Sequence, residues 1–195
     1  LQGYLSLRAG YTGVRDQIAQ SNRQLADLAV QGISAQYDAI LQRVDFLRTE
    51  MADDSLDQQA RSMLDFRRSS PLTYRAVYLF DDQGQLLIHL ADSLDRLMAI
   101  KTSAEILNRA PITPDANVLA ASRLCAPGGR EAGARGGAPY VSPARIAGAD
   151  QMPVITLGLA SGAWRLVVEI DLRDIWRGID KIYVGQTGRA FLTAA

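Results

Sequence analysis

The chain has 195 residues, 48% hydrophobic and 22% charged, with 21 basic and 21 acidic side chains that cancel to zero formal charge. That is the composition of a globular protein, and interspersed charges of both signs leave no electrostatic footprint for nucleic acid or for an acidic partner. The lone cysteine, Cys125, excludes an internal disulfide, and no run of about 18 uncharged apolar residues marks a membrane span.

From Val14 to Met63 there is no proline, and Gly32 is the only glycine. Val14, Ile18, Leu25, Leu28, Ile33, Tyr37, Ile40, Val44, Leu47 and Met51 recur mostly at spacings of three and four, and from Ile33 to Met51 the alternation is unbroken, a heptad-like stripe on one long helix. About 50 residues at 1.5 Å each give a rod of about 75 Å, longer than one small module can cover. Such a rod must lean on something for part of its length and, for the rest, project or pair with a second helix as in a homodimer; the alternative is a helix that packs only on its own sheet. Arg67 to Pro71 ends the helix, since proline disfavours helical geometry in the residue before it.

Strand periodicity follows. Ala76–Phe80 and Gln85–Leu90 read as a hairpin turning at Asp81-Asp82-Gln83-Gly84. Ala91–Arg109 reads as a helix or two short ones, and Ala110–Pro139 as loop with a short helix at Asn117–Leu124. Tyr140–Ile146 is a strand interrupted by Pro143; Val154–Ala160 and Trp164–Ile170 are apolar strands joined through Ser161-Gly162. Asp171 caps a helix with Leu172, Ile175, Trp176, Ile179 and Ile182 on its apolar side. After two glycines an apolar strand opens with no partner strand in view, which reads as a segment of a longer protein. The order predicts an α+β fold, with a mainly antiparallel sheet of about five strands covered on one face.

The inventory is poor in catalytic groups. His89 is the only histidine, no serine lies in a G-x-S-x-G elbow, and one histidine with one distant cysteine makes no zinc spacing. The glycine-rich runs GGREAGARGG and GQTGRA lack the Lys-Ser/Thr ending of a phosphate loop. Asp53-Asp54 and Asp81-Asp82 are paired carboxylates of a kind that hold hard cations, but the second pair sits where a turn wants aspartate. No enzyme, no metal and no cofactor is expected of this segment.

AVYLFDDQGQLL, PYVSPARI, PVITLGLA and WRLVVEIDLRDIW together resemble the extracytoplasmic double Cache (dCache) sensor domains of bacterial membrane receptors. IDKIYVGQTGRAFLTAA looks like the entry into the second module of that family. The resemblance implies a long N-terminal helix over 1–70, a membrane-distal PAS-like module over 71–170, a connecting helix over 171–183 and the start of a membrane-proximal module over 184–195. It also implies flanking membrane spans, a place in the periplasm, and an output domain of chemoreceptor, histidine kinase or nucleotide cyclase type. The function implied is sensing of a small molecule; the alternative is a dimerising spacer that binds nothing.

A PAS-like sheet curved over helices leaves a pocket, apolar with a few convergent polar groups. Tyr140, Ser142 and Arg145, with Tyr78 and His89 across the hairpin, are the polar groups best placed to line it. Arg123, with Arg130 and Arg135, could clamp a carboxylate from the loop. Amino-acid-binding members of the family carry an Arg-x-Trp-Tyr-like signature that this chain lacks: Ala110–Pro139 has no aromatic residue. That departure argues against an amino-acid ligand.

Overall fold

The computed structural model describes residues 2–110, 112–125, 139–147, 151–173, 175, 177, 183–184 and 188–189, with side chains from 14 to 177 within those ranges. The chain divides into two compact units, Leu1–Ile40 with Ile175–Ala195, and Leu41–Asp174.

The expected single helix is two. α1 runs Gln2–Glu50 and α2 runs Leu56–Ser69. The break carries neither glycine nor proline, only Ala52-Asp53-Asp54-Ser55, whose short polar side chains compete for the backbone. Ser55 caps α2 in a reciprocal box: its hydroxyl accepts from the Gln58 N–H, while Gln58 Oε1 accepts from the Ser55 N–H at 3.0 Å. The Met51 carbonyl at the end of α1 accepts from the Asp54 N–H at 3.3 Å and from buried Gln59 Nε2 at 3.1 Å. Arg67 closes the other end of α2 by donating to the Pro71 and Arg75 carbonyls at 2.7 and 2.9 Å.

In the second unit six strands form one sheet: β1 (Tyr74–Asp81), β2 (Leu86–Leu90), β3 (Tyr140–Val141), β4 (Arg145–Ala147), β5 (Met152–Ser161) and β6 (Trp164–Asp171). The order is β2-β1-β6-β5-β3 with β4 also on β5, and every pairing is antiparallel. The sheet gains its sixth strand because Pro143 splits the expected Tyr140–Ile146 strand in two. Ser142 bridges the gap: its N–H donates to the Thr156 carbonyl at 2.9 Å and its Oγ accepts from the Thr156 N–H at 2.8 Å. Gly84, at φ +80°, makes the β1–β2 turn, and Asp81 Oδ1 accepts from the Gln83 and Gln85 N–H groups at 2.9 and 2.7 Å. That carboxylate serves the turn.

Both faces of the sheet are covered. α2 lies against β1 and β2, joined by α3 (Leu94–Ala99) and α4 (Ser103–Leu107). Val77, Leu79, Ile88, Leu90, Leu166, Val168 and Ile170 alternate along the strands and are all buried. The opposite parity faces α5 (Ala116–Leu124), which packs on β5, β6 and β3. There Ala76, Tyr78, Phe80 and Val167 meet Val118 and Ala121 of α5. Gly158 permits the approach: a Cβ at that position would stand 2.8 Å from the Ala121 carbonyl oxygen.

The first unit holds the N-terminal part of α1 and a strand pair, β7 (Tyr183–Val184) with β8 (Gly188–Arg189). The strand expected to open unpaired therefore begins within a small hairpin. Most of the expected connecting helix lies outside the described residues.

Candidate functional site

Alternation on β1, β5 and β6 brings Tyr78, Thr156 and Glu169 to the face that carries α5. The register sets Tyr78 opposite Val167, with Thr156 opposite Glu169 and Tyr140 opposite Gly158. Glu169, Thr156 and Tyr78 are buried, so each polar group there requires a partner.

One chain of contacts provides most of them. Asp115 caps α5 by accepting from the Asn117 and Val118 N–H groups through Oδ1, at 2.8 and 2.9 Å. Its Oδ2 accepts from Arg145 Nη2 at 2.6 Å, and the same nitrogen donates to Glu169 Oε1 at 2.6 Å. The other Glu169 oxygen accepts from the Tyr78 hydroxyl at 3.1 Å. The guanidinium thus ties the N-terminus of α5 and strand β4 to the two central strands.

Two polar atoms beside this chain are left over. Thr156 Oγ1 and Arg145 Nη1 are both buried without a hydrogen-bond partner among the described residues. A buried donor left unmade costs about 1–3 kcal/mol, so both atoms remain open to a further partner.

Burial, opposed by the pull of Arg145, raises the Glu169 carboxyl above its ordinary range. Burial and the neighbouring carboxylate raise the Tyr78 phenol as well, so it stays a neutral donor. Burial, reinforced by Arg109 and countered by Asp92, lowers His89 and favours the neutral ring at neutral pH. Burial pushes the Cys125 thiol up to about 11, which keeps it out of thiolate chemistry.

The candidates proposed from sequence fall into three groups. Tyr78 and Arg145 stand in the polar chain, with Tyr140 packed against the apolar cluster next to it. His89 is half-buried, opposite Tyr78 on β2, and Ser142 is spent on the β3–β4 junction. Arg123 is exposed on the last turn of α5, while Arg130 and Arg135 lie outside the described residues. Sequence reading passed over Asp115, Thr156 and Glu169. The signal for the last two was present: each is a lone polar side chain in an apolar run, VITLGLA and LVVEI.

Neither a protein-family model nor a curated protein matches the chain. Among solved structures, the ligand-binding domain of the Campylobacter jejuni chemoreceptor Tlp3, in complex with 4-methylisoleucine, is similar in fold. The TM-score is 0.57 at 15% sequence identity, over 86% of this chain and 64% of that one. Likeness at this level establishes the α+β architecture, a long N-terminal helix and an antiparallel sheet, and the chain spans under two thirds of the length of that domain.

Proposed function

We propose that this chain is a ligand-sensing module of a bacterial transmembrane receptor, on the extracytoplasmic side of the inner membrane. In this reading 71–170 is a membrane-distal Cache module reached by the helices of 1–70. The connecting helix, 171–183, leads into a second, membrane-proximal module that opens at 184–195. The receptor works as a homodimer through α1, and its output is of chemoreceptor, histidine kinase or nucleotide cyclase type. The module itself binds rather than catalyses.

One observation carries the proposal: the unpartnered Thr156 and Arg145 atoms beside Glu169, beneath α5 on a sheet of sensor-domain type. A small molecule with an oxygen acceptor, placed there, would complete both. The fold shared with a chemoreceptor domain crystallised with a small molecule supports the same reading. Tyr78 and Tyr140 are the further contacts in this proposal; Arg123 is remote from the polar chain.

Arg145 does not act as a free anion clamp in this arrangement, because Nη2 already holds two carboxylates. The same fact favours the second reading, a spacer whose polar chain only locks α5 to the sheet. Melting the protein against a panel of amino acids, carboxylic acids and amines separates the two readings. A sensor is stabilised by at least one compound, by about 2.7 kcal/mol at a hundredfold excess over Kd. A spacer is stabilised by none.

A further inference from the structure

The polar chain beneath α5 is closed on one side and open on the other. Arg145 Nη2 is fully committed, with Asp115 Oδ2 and Glu169 Oε1 both at 2.6 Å. Nη1 of the same guanidinium is buried and has no partner among the described residues. Thr156 is fully buried, stands opposite Glu169 in the β5–β6 register, and carries a hydroxyl that is equally unpartnered. An arginine N–H only donates and a threonine hydroxyl can donate, so what the two lack in common is an oxygen that accepts. A guanidinium N–H bonds most strongly to an ionised oxygen, which favours a carboxylate over an uncharged carbonyl.

A carboxylate cannot simply be added there. It would be the third on one guanidinium, and it would lie beside Glu169, which is buried on the strand next to Thr156. Two carboxylates sharing one buried site do not both stay ionised; one of them takes a proton. Glu169 faces Arg145 from β4, Asp115 from the N-cap of α5, and Tyr78 and Arg75 from β1, while β5 offers only the uncharged Thr156. Asp115 is half exposed and committed through Oδ1 to two N–H groups of α5, which leaves Glu169 to accept the proton. Burial, opposed first by Arg145, already holds the Glu169 carboxyl above its ordinary range.

That proton also frees a donor. Glu169 Oε2 accepts from the Tyr78 hydroxyl at 3.1 Å. A proton taken from solvent onto Oε2 turns this bond round: the new O–H donates to the Tyr78 oxygen, and the phenol hydrogen is released to donate to the ligand. Oε1 goes on accepting from Arg145 Nη2. The incoming carboxylate then meets three donors, Arg145 Nη1, Thr156 Oγ1 and Tyr78 Oη.

We infer that this site takes a monocarboxylate, held by Arg145 Nη1, Thr156 and Tyr78, with uptake of one proton by Glu169. The inference rests on the sensor reading above and adds the class of ligand and a dependence on pH, with affinity rising as the medium turns acid.

Calorimetric titration tests it, with acetate, butyrate and benzoate as probes, each beside its primary amide, from about pH 5.5 to about pH 8. Repeating each titration in phosphate and in Tris, whose ionisation enthalpies differ, counts the protons exchanged. At least one of the acids should bind at neutral pH with uptake of about one proton. Its affinity should fall by about tenfold per pH unit wherever Glu169 is ionised in the free protein and protonated in the complex. The matching amide should bind more weakly and take up no proton. Glu169→Gln offers the Tyr78 oxygen an N–H in place of the O–H, so it should bind the same acid at neutral pH with no proton uptake and no dependence on pH. The proton count on the native chain decides the matter even if that variant does not fold. Acids that bind without taking up a proton, or amides that bind as tightly, overturn the inference and leave the sensor reading standing. Silence of all the acids while another compound of the wider panel stabilises the chain does the same. A chain that no compound stabilises overturns both.

Discussion

Glu169 is buried on the central strand, shares the Arg145 guanidinium with Asp115, and is held by burial above the ordinary carboxylate range. Its folded pKa lies above its unfolded one, so the folded state keeps this proton to higher pH than the unfolded chain does. The stability that results is full below the unfolded pKa of about 4.3 and is lost as pH rises through the folded pKa. Against Glu169→Gln, the native protein should therefore gain stability on acidification from neutrality towards about pH 4. Paired melting curves across that range check it, and a constant difference would contradict it. Arg145→Ala leaves two carboxylates facing each other, one of them buried, and should cost about 3 kcal/mol by chemical denaturation. Arg145→Met with Glu169→Gln should recover most of that loss, because the uncompensated charge goes with its partner. Tyr78 and Arg145 were legible as polar residues on strands next to a loop. Glu169 and Asp115 were not, because their meaning depends on which strand lies beside which: 24 and 30 residues of chain separate them from Arg145.

At the scale of elements, the strands were the most legible part, since alternation and the Asp-Asp-Gln-Gly turn mark them directly. The break between α1 and α2 was hidden because Asp-Asp-Ser interrupts no apolar spacing: Met51 continues one stripe and Ala60 and Met63 begin another. Its cause is the capping box, so Ser55→Ala should lower stability by about 1 kcal/mol, read from the denaturation midpoint. Along α1 the exposed Val14, Ile18, Leu25 and Leu28 and the buried Val44, Leu47 and Met51 were merged in the same way, because a step of five residues from Leu28 to Ile33 lies inside a run of threes and fours. The position of α5 depends on Gly158, whose absent side chain admits the Ala121 carbonyl. Gly158→Ala should destabilise the module by about 1–3 kcal/mol through overpacking, and should raise hydrogen exchange across Ala116–Leu124. A variant as stable as the native chain, with α5 equally protected, would mean that the helix is not held against β5 as described.

For the molecule as a whole, a sheet covered on both faces traps a polar chain that is nearly complete. The two atoms it leaves over are the reason to read the module as a receptor for something small. Under the proposed function, stability and binding make opposite demands on Thr156, which is fully buried with an unpaired hydroxyl. Thr156→Val removes that hydroxyl at nearly constant shape, so the free protein should melt at or above the native temperature. Its response to any stabilising compound from the panel should nonetheless fall, by about 1 kcal/mol for one lost hydrogen bond. Calorimetric titration of that compound into the native chain and into Thr156→Val measures this difference directly. Weaker binding to a variant that is no less stable is the predicted result. Undiminished affinity would place the ligand elsewhere and contradict the account.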